Sequence, residues 1–208
     1  MTAPRLTRKE RQERTRSHLL QAAGTVFARR GFAHASVDQV AAEAGYTKGA
    51  FYANFASKEE LFLVLLEQRF AERVEALDAV LAGDEEPGDA ARAGGDEFVR
   101  YLARDAEWER LFFEFAAHAA RSEEFRGALV ARYHHLIARI AGVIGSYAER
   151  IGFTPPGPVE EFALMIFTLA NGVALERMLD PDGVPDDLLA NMLELLTLGA
   201  LAKASRPT

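Results

Sequence analysis

The chain has 208 residues, 49% of them hydrophobic, which allows a packed core in one large domain or two small ones and argues against wholesale disorder. It contains no cysteine, which excludes disulfides and thiolate metal sites, and no uninterrupted apolar run approaches the ~20 residues that span a bilayer. The net charge of −7 is unevenly spread: residues 1–58 carry ten Lys and Arg against four acids, a net of +6, and the remainder carries −13. A basic module on an acidic body attracts phosphate through its local field, whatever the total charge.

The N-terminal stretch MTAPRLTRKERQERTRSHLL is charged where a secretion signal is apolar, so the expected location is the cytoplasm. The first predicted helix carries Leu19, Leu20, Ala23, Val26 and Phe27 at helical spacing, and Arg29-Arg30-Gly31 closes it with basic residues and a glycine. Ser36 opens a short helix as N-cap, Gln39 completes a capping-box pattern, and Gly45 ends it. Thr47 caps a helix of about two turns. Ser57, with Glu60 three residues on, caps the next, expected to run to about Leu81. GDEEPGDAARAGG (83–95) is the softest stretch and reads as a linker or loop. Helices follow at Phe98–Arg104, Trp108–Ala120, Glu123–Ile151, Val159–Leu179 and Asp186–Lys203, separated by glycine- and proline-containing breaks. No segment alternates with the period of a strand. The fold class is all-α.

The two short helices at 37–44 and 48–54, joined by a glycine-containing turn, make a helix-turn-helix pattern. Phe51 and Phe55, four apart, share one face and fit against Val40 and the first helix. In such motifs the second helix enters the major groove with its early residues nearest the base edges. Gly49 admits close backbone approach, Ala50 and Ala53 keep the surface slim, and Asn54 has the side chain suited to bidentate pairing with adenine. Thr47, Lys48, Tyr52 and Lys58 have the chemistry of phosphate contacts, and Ser36 and Lys58 stand at helix N-termini that favour phosphate. Each has a plainer reading as well: surface lysine, half-buried tyrosine, local asparagine cap. Together, inside a basic module, they favour double-stranded DNA.

Residues 14–62 resemble the DNA-binding domain of the tetracycline-repressor (TetR) family of bacterial regulators. The resemblance rests on RRGF followed by SVDQVAAEAG (29–45), TKGAFYANF (47–55) and SKEEL (57–61). Ala53 departs from the pattern, since that position often bears an aromatic residue or histidine. The resemblance implies a DNA-binding domain at 1–58, with a three-helix helix-turn-helix, and a larger helical ligand-binding and dimerisation domain at 59–208. It implies a homodimer that binds a pseudo-palindromic operator and is released by a small-molecule effector, more in the manner of a repressor than an activator. The basic arm from Arg5 to Arg16 would reach phosphate or a minor groove, or stay a solvated terminus.

In the acidic body, WERLFFEFAAHA (108–119) places Trp108, Phe112, Phe115 and His118 near a common face, with Tyr133, His134, Phe167 and Asn171 as facing candidates. An aromatic cavity with few polar groups is what a binding site for an apolar or aromatic ligand looks like, although such stripes are more often core. Asn171, in MIFTLANGVAL, needs a partner in the pocket, on another helix or across a dimer axis. The last two helices are apolar around much of their circumference, so Phe162, Ile166, Leu169, Val173, Leu188, Met192, Leu195 and Leu196 are expected in a twofold four-helix interface. No serine-hydrolase, phosphate-loop or zinc-protease motif appears, and the adjacent His134 and His135 face different ways, so neither enzyme activity nor a metal or other cofactor is expected. The rival class is a small-molecule sequestering protein whose N-terminal module makes only protein contacts.

Overall fold

The computed structural model describes residues 7–154 and 157–204. The described residues form α1 (Arg8–His34), α2 (Val37–Glu43), α3 (Lys48–Tyr52), α4 (Lys58–Val80), α5 (Pro87–Arg104), α6 (Ala106–Ala119), α7 (Glu123–Arg150), α8 (Val159–Leu179) and α9 (Leu188–Ala204), with no strand among them. The fold is all-α. The chain packs as two compact units that are not contiguous in sequence. The first holds the described residues up to Gln68 together with Leu111–Leu129, and the second holds Arg69–Arg110 with the described residues from Val130 onward. The single boundary expected at 58/59 has no counterpart in this division, because α4, α6 and α7 each supply residues to both units.

In the first unit α1 starts earlier than its apolar stripe does. Thr7 Oγ1 accepts from Glu10 N at 3.2 Å and Glu10 Oε2 accepts from Thr7 N at 2.6 Å, a reciprocal capping box. The hydrogen bonds to Thr7 hold the Glu10 carboxyl below the usual carboxylate range. The segment read as a basic arm is therefore helix from Arg8, and Arg5 lies outside the described residues. Phe27, Phe32, Phe62 and Phe115 fill the core, each no more than 1% exposed, with Phe62 stacked on Phe115 at 4.2 Å and Phe32 edge-on to Phe115 at 4.9 Å. Each aromatic pair contributes about 0.5–1.5 kcal/mol beyond its buried area.

Gly31 does not end α1. It breaks it: φ is 74° and ψ 163°, after which the chain turns helically again to His34. The restarted turn has its first amides capped from a distance, since Glu114 Oε2 accepts from Phe32 N at 3.0 Å and Oε1 from Ala33 N at 2.7 Å. A Cβ at position 31 would stand 2.8 Å from Glu114 Oε2, so both the backbone angle and the carboxylate select glycine.

The second unit corrects the linker assigned to 83–95. Helix α5 begins at Pro87, a residue suited to a first helical turn, and runs through the glycines to Arg104. Gly95 packs directly on α9: a Cβ there would lie 2.5 Å from Ala190 Cα. Low complexity here marks close helix packing, which sequence composition does not distinguish from a loop. The α5–α9 pairing is the most extensive helix contact in this unit, and Val173, Leu189 and Leu193 form its core with Phe98 and Val99 against them. The loop before α5 is pinned as Tyr147 Oη donates to Glu85 O at 2.6 Å and Arg150 donates to the carbonyls of Leu81 and Gly83. Among the described residues α8 alone is long and apolar enough, by length and composition, to cross a membrane.

Gly95→Ala is expected to lower stability by about 1–3 kcal/mol through the clash with α9. Gly94→Ala, whose Cβ would meet only Leu77 Cδ1 at 3.7 Å, is expected to raise it by about 0.5–1 kcal/mol by removing a helical glycine. Thermal melts of the two variants beside the parent chain check the opposite signs.

Candidate nucleic-acid interface and internal cavity

Helices α1, α2 and α3 pack together, and the turn between α2 and α3 is closed by Tyr46 N donating to Ala41 O at 2.8 Å and Gly45 N to Ala42 O at 3.0 Å. Ser36 and Gln39 cap α2 reciprocally, and Thr47 Oγ1 accepts from Ala50 N at 3.2 Å to start α3. Phe51 and Phe55, each 1% exposed, turn into the core. Thr47, Lys48, Gly49, Tyr52 and Ala53 are exposed, while Ala50 and Asn54 are half-buried. Tyr52 leaves 51% of its surface open.

Three polar residues have partners that the sequence does not reveal. Asn54 turns its amide back on its own helix, Nδ2 donating to Ala50 O at 2.8 Å, and its buried Oδ1 has no hydrogen-bond partner. Its backbone oxygen accepts from Arg16 Nη1 at 2.7 Å, and Arg16 lies over the Phe55 ring at 4.1 Å. Arg16 thus ties α1 to the end of α3 and is not part of a free arm. Lys48 Nζ donates to Asp38 at 2.9 Å, which raises the lysine's pKa. Both partners are largely exposed, so the pair is worth little in stability.

Lys58 departs furthest from expectation. Its ammonium points inward, donating to Phe32 O at 2.7 Å and Ala35 O at 2.9 Å, over the Phe32 ring at 4.4 Å. Burial lowers its pKa, against the pull of Glu59 and Glu114. A side chain expected to hold phosphate instead holds the carbonyl end of the turn whose amide end Glu114 holds. Of the module's cations, Arg8, Lys9, Arg11, Arg14, Arg29, Arg30 and Lys48 are exposed, Arg29 in an ion pair with Glu43.

The second unit contains a cavity of about 510 Å³ lined by α4, α5, α7, α8 and α9, most of it apolar, including Leu77, Phe98, Leu136, Ile140, Phe162 and Ile166. Of the proposed ligand-binding set, Phe167 and Asn171 line it, and Asn171 Nδ2 donates to Phe167 O at 2.9 Å. Tyr133 packs beside it between Phe70 and Phe167, where burial pushes its hydroxyl up to about 12. The others are not part of the lining. Trp108 is buried beside Arg69, Phe112 and Phe115 are buried, His118 packs on Phe32 and Phe125, and His134 is exposed. The stripe at 108–119 divides between the two units because its aromatics are core.

Sequence reading missed Arg73, Tyr101 and Glu97 in the cavity wall. Arg73 follows Phe70 by three positions and precedes Leu77 by four, which puts a charge on the inward stripe of α4, and that was the available signal. Arg73 pairs with Glu109, which is 4% exposed and whose carboxyl burial raises despite the guanidinium beside it. Among the described residues no cluster of three or more His, Asp or Glu is placed to hold a metal ion.

A capped two-helix reader on a basic face, in a chain with a separate apolar cavity, defines a helix-turn-helix transcriptional regulator. The model for bacterial regulatory proteins of the tetR family matches residues 19–65, and that for the C-terminal part of BetI-type transcriptional repressors matches residues 87–197. The chain belongs to the TetR family, whose members bind DNA and act as dimers and are not enzymes. It is 30% identical to the HTH-type transcriptional repressor SCO4008 of Streptomyces coelicolor, over 76% of this chain and 78% of that one. It is 34% identical to the transcriptional activator FasR of Mycolicibacterium smegmatis, over 53% of this chain and 48% of that one. Among solved structures, a TetR-family regulator from Pectobacterium atrosepticum matches with a TM-score of 0.70 at 26% identity, over 98% of this chain and all of that one. The regulator FadR from Bacillus subtilis, in complex with stearoyl-CoA, shares the fold at a TM-score of 0.66 and 18% identity, over 88% and 98% of the two chains.

Lys58→Ala is expected to cost about 1–3 kcal/mol of stability by stranding two carbonyls. It is expected to leave the salt dependence of DNA binding unchanged, whereas Lys48→Ala flattens the log–log slope by about one. Thermal unfolding and duplex titrations across a salt series read both effects.

Proposed function

We propose that the chain is a ligand-responsive repressor that holds a pseudo-palindromic operator as a homodimer and releases it when a small, largely apolar molecule fills the cavity. The observation that carries this reading is the pairing of an exposed reading helix, α3, with a separate internal cavity of about 510 Å³, within the size range of small-molecule sites. The BetI-type repressor match over 87–197 and the match to SCO4008 favour repression over the activation named for FasR. The stearoyl-CoA bound by FadR supports an apolar occupant in a fold of this kind. Thr47, Lys48, Gly49, Tyr52 and Ala53 would meet the duplex; Ser36, Ala50 and Asn54 support that surface from half-buried positions. The site of action is the cytoplasm, where the operator is.

The homodimer rests on a stripe that differs from the expected one. Val173 is buried in its own unit, Ile166, Leu169, Leu188 and Met192 pack on the same core, and Phe162 and Leu196 line the cavity. Only Leu195 of that set is exposed, at 71%. The reason is α5: with 83–95 read as linker, the hairpin of α8 and α9 lacked the helix that covers its inner side. The uncovered face is Leu164, Thr168, Gly172, Leu175 and Leu179 on α8 with Leu198 and Gly199 on α9. Leu164 is 48% and Leu179 69% exposed, and nothing lies within 4 Å of a Cβ added at Gly172 or Gly199. An open apolar stripe with glycines suits close approach of a second copy's helices.

The test is selection of duplexes from a random pool, followed by release of the bound duplex with a panel of apolar metabolites. The expected result is an inverted-repeat site whose affinity falls steeply with salt and is lost with at least one compound. Salt-indifferent association, or no enriched duplex, would favour the sequestering protein. Leu175→Glu is expected to give a monomer in sedimentation and to lose that site while staying folded.

A further inference from the structure

The cavity of the second unit is walled unevenly. Toward α5 and α7 its lining is packed away from water: Ala90, Leu136 and Ala148 are buried, as are Leu189 and Leu193 on the inner side of α9. The remaining side is open. Met165 on α8 and Leu195 on α9 both line the cavity, yet they are 48% and 71% exposed. Gly199 lines it too, and among the described residues nothing lies within 4 Å of a Cβ added there. Glu161 and Lys203, both exposed, extend the same two edges. Glu161 and Met165 are four apart, as are Leu195, Gly199 and Lys203, so each set forms one row along its helix.

These rows border the apolar face already assigned to a second copy. Met165 directly follows Leu164 of that face and stands seven before Gly172. Gly199 belongs to the face and to the cavity lining alike. The opening and the stripe are therefore continuous. A small-molecule site buries about 70–90% of its ligand's surface, and a wall whose leucine is mostly in water does not do that for an apolar occupant. The missing cover must be apolar and fit closely against glycine. TetR-family regulators act as dimers, and a twofold contact brings an identical leucine and glycine stripe to this edge. The polar rim suits the same symmetry, since Glu161 and Lys203 carry opposite charges that a self-complementary contact can pair.

We propose that the cavity is a composite site, whose outer wall between Met165 of α8 and Leu195 and Gly199 of α9 is supplied by a second copy of the chain. The inference rests on the ligand-responsive homodimer read above and adds that neither half of that reading is independent of the other. Ligand binding and dimerisation are then linked, and linkage is reciprocal: the dimer binds the ligand more tightly, and the ligand tightens the dimer. Release of the operator accordingly proceeds by rearrangement within a dimer and not by its dissociation.

The test titrates the full chain with N-phenyl-1-naphthylamine, an uncharged apolar fluorophore that brightens out of water, and follows the dimer by sedimentation with and without it. The variant is Leu175→Glu, on the dimer face and outside the cavity lining, with circular dichroism to confirm that it stays helical. The parent chain is expected to bind the fluorophore roughly 10-fold or more tightly than the monomeric variant. Its dimer dissociation constant is expected to fall by a similar factor at saturating fluorophore. The second measurement needs no variant, and Leu179→Glu replaces Leu175→Glu if the latter loses its helix signal. Equal affinity of monomer and dimer, with a dimer constant indifferent to fluorophore, would leave the ligand-responsive reading standing and overturn the composite site. If both variants remain dimers, the second copy sits elsewhere and the composite site is overturned as well. If the parent dimer shows no saturable binding by fluorescence or calorimetry, the ligand-responsive reading itself fails and takes the composite site with it.

Discussion

One turn of helix, residues 32–35, is held from both ends by opposite charges. The Glu114 carboxylate takes the first amides of the turn, and the Lys58 ammonium takes the carbonyls of Phe32 and Ala35. This is the arrangement a helix dipole favours, anion at the N-terminus and cation at the C-terminus, made with side chains remote in sequence. Phe32, in the same turn, is the ring on which Phe115, Phe62 and Lys58 converge. The start of α2 follows directly, since Ala35 precedes the Ser36 cap. The direction in which α2 and α3 leave α1 is therefore set by a carboxylate on α6 and an ammonium on α4. The compact unit that holds α1, α2 and α3 is not contiguous in sequence: it includes Leu111–Leu129.

That constraint explains the composition of the reading helix. Helix α3 has five residues and is too short to hold itself in water. Its geometry comes from Phe51 and Phe55 below, Thr47 at its start and Arg16 at its end. Freed from structural duty, Lys48, Gly49, Tyr52 and Ala53 form the exposed surface. Asn54, which by type looks the best reader of adenine, is committed to the helix itself. The side chains that α3 leaves open are those of Lys48 and Tyr52.

Local chemistry was legible in the sequence wherever it was local. The Ser36–Gln39 capping box, the Thr47 cap, the inward pair Phe51 and Phe55, and the extents of α8 and α9 all follow from residue spacing, because each involves groups within four positions. What failed to show were contacts between distant segments. Lys58 reads as a phosphate ligand until Phe32 and Ala35 are brought to it. The glycines at 94–95 read as a loop until Ala190 lies against one of them, and with that helix missing, the inner side of α8 and α9 reads as an interface. The aromatic stripe at 108–119 reads as a pocket until Phe32 and Phe62 fill the space before it. In each case the deciding partner lies far away in the chain.

The most direct test is amide exchange on the full chain with Glu114 changed to alanine, read alongside affinity for a duplex selected by the parent protein. The account predicts that Phe32 and Ala33 lose their protection and that duplex affinity falls although no DNA-facing residue is altered. Unchanged protection at those two amides together with full affinity would contradict it.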